Sequence, residues 1–205
     1  GIQPVTTDVY LPALPALQAD LRAPMAEVQL TFAALLLAFG TSQLVWGPLS
    51  DRFGRRPILL AGMALYVLAS IACVLAPSMP ALVWARVAQG AAIGAAVMCA
   101  RAIVRDLYPP LEGARMMSRG LSGLGVIAVV CAPLGGLLTD WLHWRAAMSA
   151  LVVFGAGTLV LLALRFRETI PARNPDALAP GMLWRRWRQI AANPTFITYS
   201  LLSTG

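Results

Sequence analysis

Two charged residues stand where charge is expensive. Asp8 lies in the otherwise uncharged run that opens the chain, and Arg86 interrupts the apolar run 81–100. Among apolar groups a carboxylate holds its proton more tightly, while a nearby cation favours the ionised form. A carboxylate poised between those pulls loads and releases a proton as its surroundings change. Ionisable residues inside such runs are costly and mark ion or proton pathways. Asp8 is therefore the candidate proton-coupling acid, and Arg86 the charge that tunes it. The competing readings are structural: Asp8 as a cap or local partner, and Arg86 snorkelling on its long stem to the near end of its run. Other chemistry is thin. The single histidine, His143, sits beside no nucleophile. Cys73, Cys99 and Cys131 lie in apolar runs with no metal-ligand spacing and read as packing residues. No metal, cofactor or enzymatic site is expected.

Composition dictates the elements that position these residues. The 205 residues are 59% hydrophobic and 12% charged, against about 25% charged in a soluble domain, and mean hydropathy is +0.71. A bilayer-crossing helix needs about 20 apolar residues, and such runs fall near 1–18, 28–48, 57–76, 81–103, 117–139 and 146–165, with another opening near 192. Residues 1–18 read as the latter part of a first helix. Helices are expected because an open segment in lipid must satisfy its own backbone groups.

The net charge of +7 comes from 16 arginines and no lysine. Arg52, Arg55 and Arg56 follow the second run. Arg101, Arg105, Arg115 and Arg119 lie between the fourth and fifth, and Arg165, Arg167, Arg173, Arg185, Arg186 and Arg188 follow the sixth. All of these fall on one side of a six-span zigzag; only Arg22 and Arg145 fall on the other. The rich side is expected to be cytoplasmic, and the scatter over three loops excludes a nucleic-acid surface. Trp46, Trp84, Trp141 and Trp144 are expected at the interfaces. Residues 166–190 read as a cytoplasmic loop. Within it Leu183, Trp187 and Ile190 share a face opposite arginines, as in a helix lying on the inner leaflet.

Residues 47–59, Gly-Pro-Leu-Ser-Asp-Arg-Phe-Gly-Arg-Arg-Pro-Ile-Leu, resemble the major facilitator signature between helices 2 and 3, with Gly47, Leu49, Asp51, Arg52, Gly54, Arg55, Arg56 and Leu59 matching. The physics suits a turn: Gly54 permits it, and Asp51 either pairs with Arg55 or approaches a helix N-terminus. Residues 82–90 resemble the family's helix-4 motif through Arg86, Gln89 and Gly90. Residues 132–136, Ala-Pro-Leu-Gly-Gly, partly resemble the exporter-associated helix-5 motif through Pro133, Gly135 and Gly136. Ala132 replaces a glycine there, and Gly120, Gly123 and Gly125 depart from the usual register, so generic close packing is an equal reading. Thr7–Pro15 and Ala100–Asp106 are similar to the bicyclomycin and chloramphenicol resistance (Bcr/CflA) branch.

The resemblance covers residues 4 to about 168. It implies the six-helix N-terminal bundle, over 1–165, of a twelve-helix transporter built from three-helix inverted repeats, then the loop 166–190 and the start of helix 7 over 191–205. It implies a proton/drug antiporter of the bacterial inner membrane, driven by the proton gradient and completed by a second six-helix half. A cationic or polar drug would compete with the proton. Tyr10, Gln43, Gln89 and Met98 are the expected cavity contacts. Gly47, Asp51, Arg52, Gly54, Arg55 and Arg56 are expected to gate, with Asp106 as partner of Arg55. The alternatives are a facilitator importing a sugar or small metabolite, and a truncated membrane protein that does not transport.

Overall fold

The computed structural model describes residues 2–170. In chain order the elements are α1 (Ile2–Asp8), a 3-10 turn (Leu11–Ala13), α2 (Leu14–Leu21), α3 (Met25–Phe53), α4 (Arg55–Leu75), α5 (Met79–Leu107), α6 (Pro110–Trp141) and α7 (Trp144–Arg165). Helices α3 to α7 are each long and apolar enough to cross a bilayer. They occupy the second to sixth expected spans, with ends extended by a few residues. The expected interfacial helix around Leu183, Trp187 and Ile190 and the start of helix 7 lie outside the described residues.

The first span differs from the expectation of one continuous helix. Pro12 has no N–H, and its ring clashes with the carbonyl four residues earlier, which belongs to Asp8. Helix α1 accordingly stops at Asp8. The chain turns through Val9 and Tyr10, where Ala13 N donates to Tyr10 O at 2.9 Å, and resumes as α2. Pro48 and Pro133 lie inside α3 and α6 without ending them.

Helix α5 is the central post, packed on both α3 and α4. The α3 contact is close because Gly90 has no side chain: a Cβ there would overlap the Leu35 backbone. One core cluster joins Tyr10, Leu17, Leu82, Trp144 and Met148, tying the first span to α5 and α7. A second joins Leu35, Met63, Tyr66 and Ile93. The outward faces carry exposed Leu37, Val129 and Leu164, at 69%, 76% and 78%. Such continuous apolar surface suits lipid or further protein. Among the tryptophans, Trp84 and Trp141 are exposed. Trp144 is turned into the protein. It opens α7, is fully buried, and donates from Nε1 to Asp20 at 2.9 Å.

Candidate functional site

The break in the first span sets the centre of the site. It brings Tyr10 inward, 1% exposed, with its hydroxyl paired to Thr31 of α3. The Arg86 guanidinium lies 3.5 Å from the Tyr10 ring centroid. Arg86 is fully buried, so it does not reach the surface. A buried cation needs compensation. Arg86 Nη1 donates to Gln89 Oε1 at 2.6 Å, Nη2 approaches Met148 Sδ at 3.7 Å, and the ring supplies a cation–π contact. Such a contact contributes about 2 kcal/mol when desolvated. Arg86 Nε has no hydrogen-bond partner among the described residues. Gln89 passes the network on, donating from Nε2 to Ser70 Oγ at 2.8 Å. Nearby, the Thr6 and Tyr66 hydroxyls pair at 2.7 Å. Thr6, Thr31, Tyr66 and Ser70 carry this buried polarity unmarked by any motif; their hydroxyls standing within apolar runs are the signal that finds them.

Asp8 lies two residues before Tyr10, at the last position of α1, half-buried, and accepts a bond from Thr7 Oγ1 at 3.1 Å. Among the described residues it forms no direct ion pair with Arg86. Gln89 and Tyr10 join Arg86. Gln43 and Met98 do not: Gln43 Nε2 donates to Phe39 O of its own helix, and the Met98 methyl lies over Gly47. The helix-5 motif meets the break from the other side. A Cβ on Gly135 would overlap the Val9 carbonyl, Gly136 sits beside Pro12, and Pro133 is exposed. Gly135 thus lets α6 approach the broken backbone directly.

At the arginine-rich end, Gly54 separates α3 from α4 with φ 105°, a backbone that side chains rarely adopt. The turn folds Arg55 back onto α3. Its guanidinium is held by three acceptors: Asp51 Oδ1 and Ser50 Oγ, each 2.7 Å from Nη1, and Asp106 Oδ2, 2.9 Å from Nε. The structure brings Arg55 and Asp106 together across the α4 and α5 termini. Arg52 and Arg56 are exposed. Glu168 completes the cluster. It accepts the Arg55 N–H at 2.9 Å and the Arg56 N–H at 3.2 Å, capping α4 from a distant segment. Arg56 reciprocates, donating to the Ala163 and Phe166 carbonyls at the end of α7. Burial pushes the Glu168 carboxyl up. Backbone donors from Ile170, Arg55, Arg56 and Thr169 outweigh this and hold it below the ordinary glutamate value. The sequence reading missed Glu168, since one acid in a basic run carries no signal of what it caps.

At the opposite end, Asp20 accepts from Trp144 Nε1 and from Arg145 Nη1, both at 2.9 Å. The bond from Trp144, joined by the charge of Arg145, lowers its carboxyl below the usual range.

The family description for the Major Facilitator Superfamily matches residues 2–205. Multidrug resistance protein D of Escherichia coli is 34% identical over 96% of this chain and 49% of its own length. A chloramphenicol resistance protein of Pseudomonas aeruginosa is 36% identical over 78% of this chain and 38% of its own length. The fold is similar to that of the human organic anion transporter MFSD10, with TM-score 0.66 and 22% identity over 93% of this chain and 53% of that one. The chain spans about half or less of the length of the curated relatives it matches. It is a multi-pass membrane protein of a transporter family, not of an enzyme family. The chain belongs to the major facilitator superfamily.

Proposed function

We propose that the whole protein is a proton/drug antiporter that exports small amphipathic drugs across the bacterial inner membrane by alternating access. Relatives named for multidrug and chloramphenicol resistance support the drug class. The observation that carries the reading is Arg86, fully buried and stacked on Tyr10 at the break two residues beyond Asp8. The break frees that backbone to shift, and Asp8 at its edge takes up and releases the coupling proton. Arg86 biases the proton's departure by charge, without direct contact. The cluster around Arg55 closes the cytoplasmic end in the outward-facing state. Drug uptake into everted vesicles carrying the full-length protein tests the reading. Accumulation that needs an imposed proton gradient and collapses with an uncoupler is expected. Movement indifferent to the gradient across a broad drug panel overturns it.

A further inference from the structure

Arg86 hangs on a single oxygen. Among the described residues its guanidinium meets Gln89 Oε1 through Nη1 at 2.6 Å and the Met148 thioether through Nη2 at 3.7 Å, while Nε meets no acceptor. A buried cation needs an acceptor, so the hold on Arg86 turns on which end of the Gln89 amide faces it. The carbonyl end accepts. The NH2 end would set donors against donors.

A side chain on another helix decides which end that is. Ser70, fully buried on α4, has its Oγ 2.7 Å from the Tyr66 carbonyl of its own helix. A carbonyl only accepts, so the Ser70 hydroxyl proton is committed there. Its Oγ is left with lone pairs, and Gln89 Nε2 stands 2.8 Å away. The amide therefore turns its NH2 toward Ser70 and its oxygen toward Arg86. Cys73, one turn further along α4, agrees. Its Sγ lies 4.0 Å from Gln89 Oε1, which places a weak thiol donor at the oxygen end. The bonds run one way, from Arg86 through Gln89 and Ser70 to the Tyr66 carbonyl. Arg86, Gln89, Ser70 and Cys73 are all fully buried, and in such a low-dielectric site a reversed amide would leave its groups unpaired at high cost.

We infer that Ser70 is a positioning residue for Arg86. By accepting from Gln89 it fixes the amide, and the amide fixes the guanidinium on the Tyr10 ring. The consequence for transport rests on the reading of Arg86 as the charge that biases the proton on Asp8. Held on the ring, Arg86 acts on Asp8 from a set place. Released, it is free to leave the ring, and its charge at Asp8 is no longer set.

The test reads the side-chain nitrogen signals of Arg86 by NMR, in full-length protein isotope-labelled at arginine and held in lipid nanodiscs. Their absence in Arg86→Lys identifies them. A held guanidinium gives Nη1 and Nη2 separate signals, and a rotating one averages them. Separate signals are expected in the unsubstituted protein and in Ser70→Thr, which keeps the hydroxyl. Merged signals are expected in Ser70→Ala. Gln89→Leu, which has no amide to turn, should merge the same pair and identifies it independently. Gradient-driven drug accumulation should fall about fivefold in Ser70→Ala, the worth of one hydrogen bond, and recover in Ser70→Thr. Signals that stay separate in Ser70→Ala overturn the inference. Merged signals beside unimpaired accumulation leave Ser70 a structural residue and overturn its role. If the unsubstituted protein moves no drug with the gradient, the export reading fails, while the Arg86 signals still decide whether Ser70 positions it.

Discussion

The Arg86 guanidinium rests 3.5 Å from the Tyr10 ring centroid, and that contact joins the broken first span to the buried centre of α5. The ring both shields the cation from apolar surroundings and fixes where the break lies. Tyr10→Phe keeps the ring and loses only the Thr31 pairing, so it should lower stability by about 1 kcal/mol, the worth of one hydrogen bond. Tyr10→Ala should cost about 3 kcal/mol or more, because the ring's burial and the cation–π contact go together. Thermal unfolding of the full-length protein in detergent checks the order. Equal effects of the two substitutions would show that the ring carries no special weight.

Gly135 and Gly136 separate neatly. A side chain at Gly135 has nowhere to go except into the Val9 carbonyl, whereas Gly136 has ordinary contact space beside Pro12. Gly135→Val should displace the break and abolish drug export. Gly136→Ala should retain it within about twofold, as for a substitution that meets no clash. Resistance in cells expressing matched amounts of each variant reads this out. Full resistance with Gly135→Val would refute the contact.

Arg55 and Asp106 should be energetically coupled. A double-mutant cycle on Arg55→Gln and Asp106→Asn, read by unfolding of the full-length protein, is expected to give a coupling of about 1 kcal/mol or more. A coupling near zero would reduce the 2.9 Å pair to a bystander.

The Glu168 carboxyl is depressed in the folded state. A group of this kind contributes stability above its unfolded value, and the contribution is lost as pH falls through the folded one. The α4–α7 latch should therefore hold from neutrality down to the ordinary glutamate value of 4.5 and weaken below it. Glu168→Gln should flatten the acid limb of the melting-temperature profile. An unchanged limb would assign it to other carboxylates.

Much of this was legible in the sequence. Spans two to six follow from apolar run length alone, because lipid leaves a helix no alternative. The turn at Gly54 was readable from the glycine itself, and the Arg55–Asp106 pairing from what the family resemblance implies. The break after Asp8 was written in Pro12, but tolerance of proline in Pro48 and Pro133 conceals which proline ends a helix. The burial of Trp144 was hidden because its partner, Asp20, lies more than a hundred residues earlier. Glu168 and the hydroxyl pairs were hidden for the same reason: each acts on a partner distant in sequence.

The most direct measurement is gradient-driven drug accumulation in everted vesicles carrying full-length protein with Asp8→Asn, alongside drug exchange at equal pH. Loss of the gradient-driven component with exchange preserved is the predicted result. Accumulation undiminished across the same pH gradient would remove Asp8 from proton coupling and contradict the account.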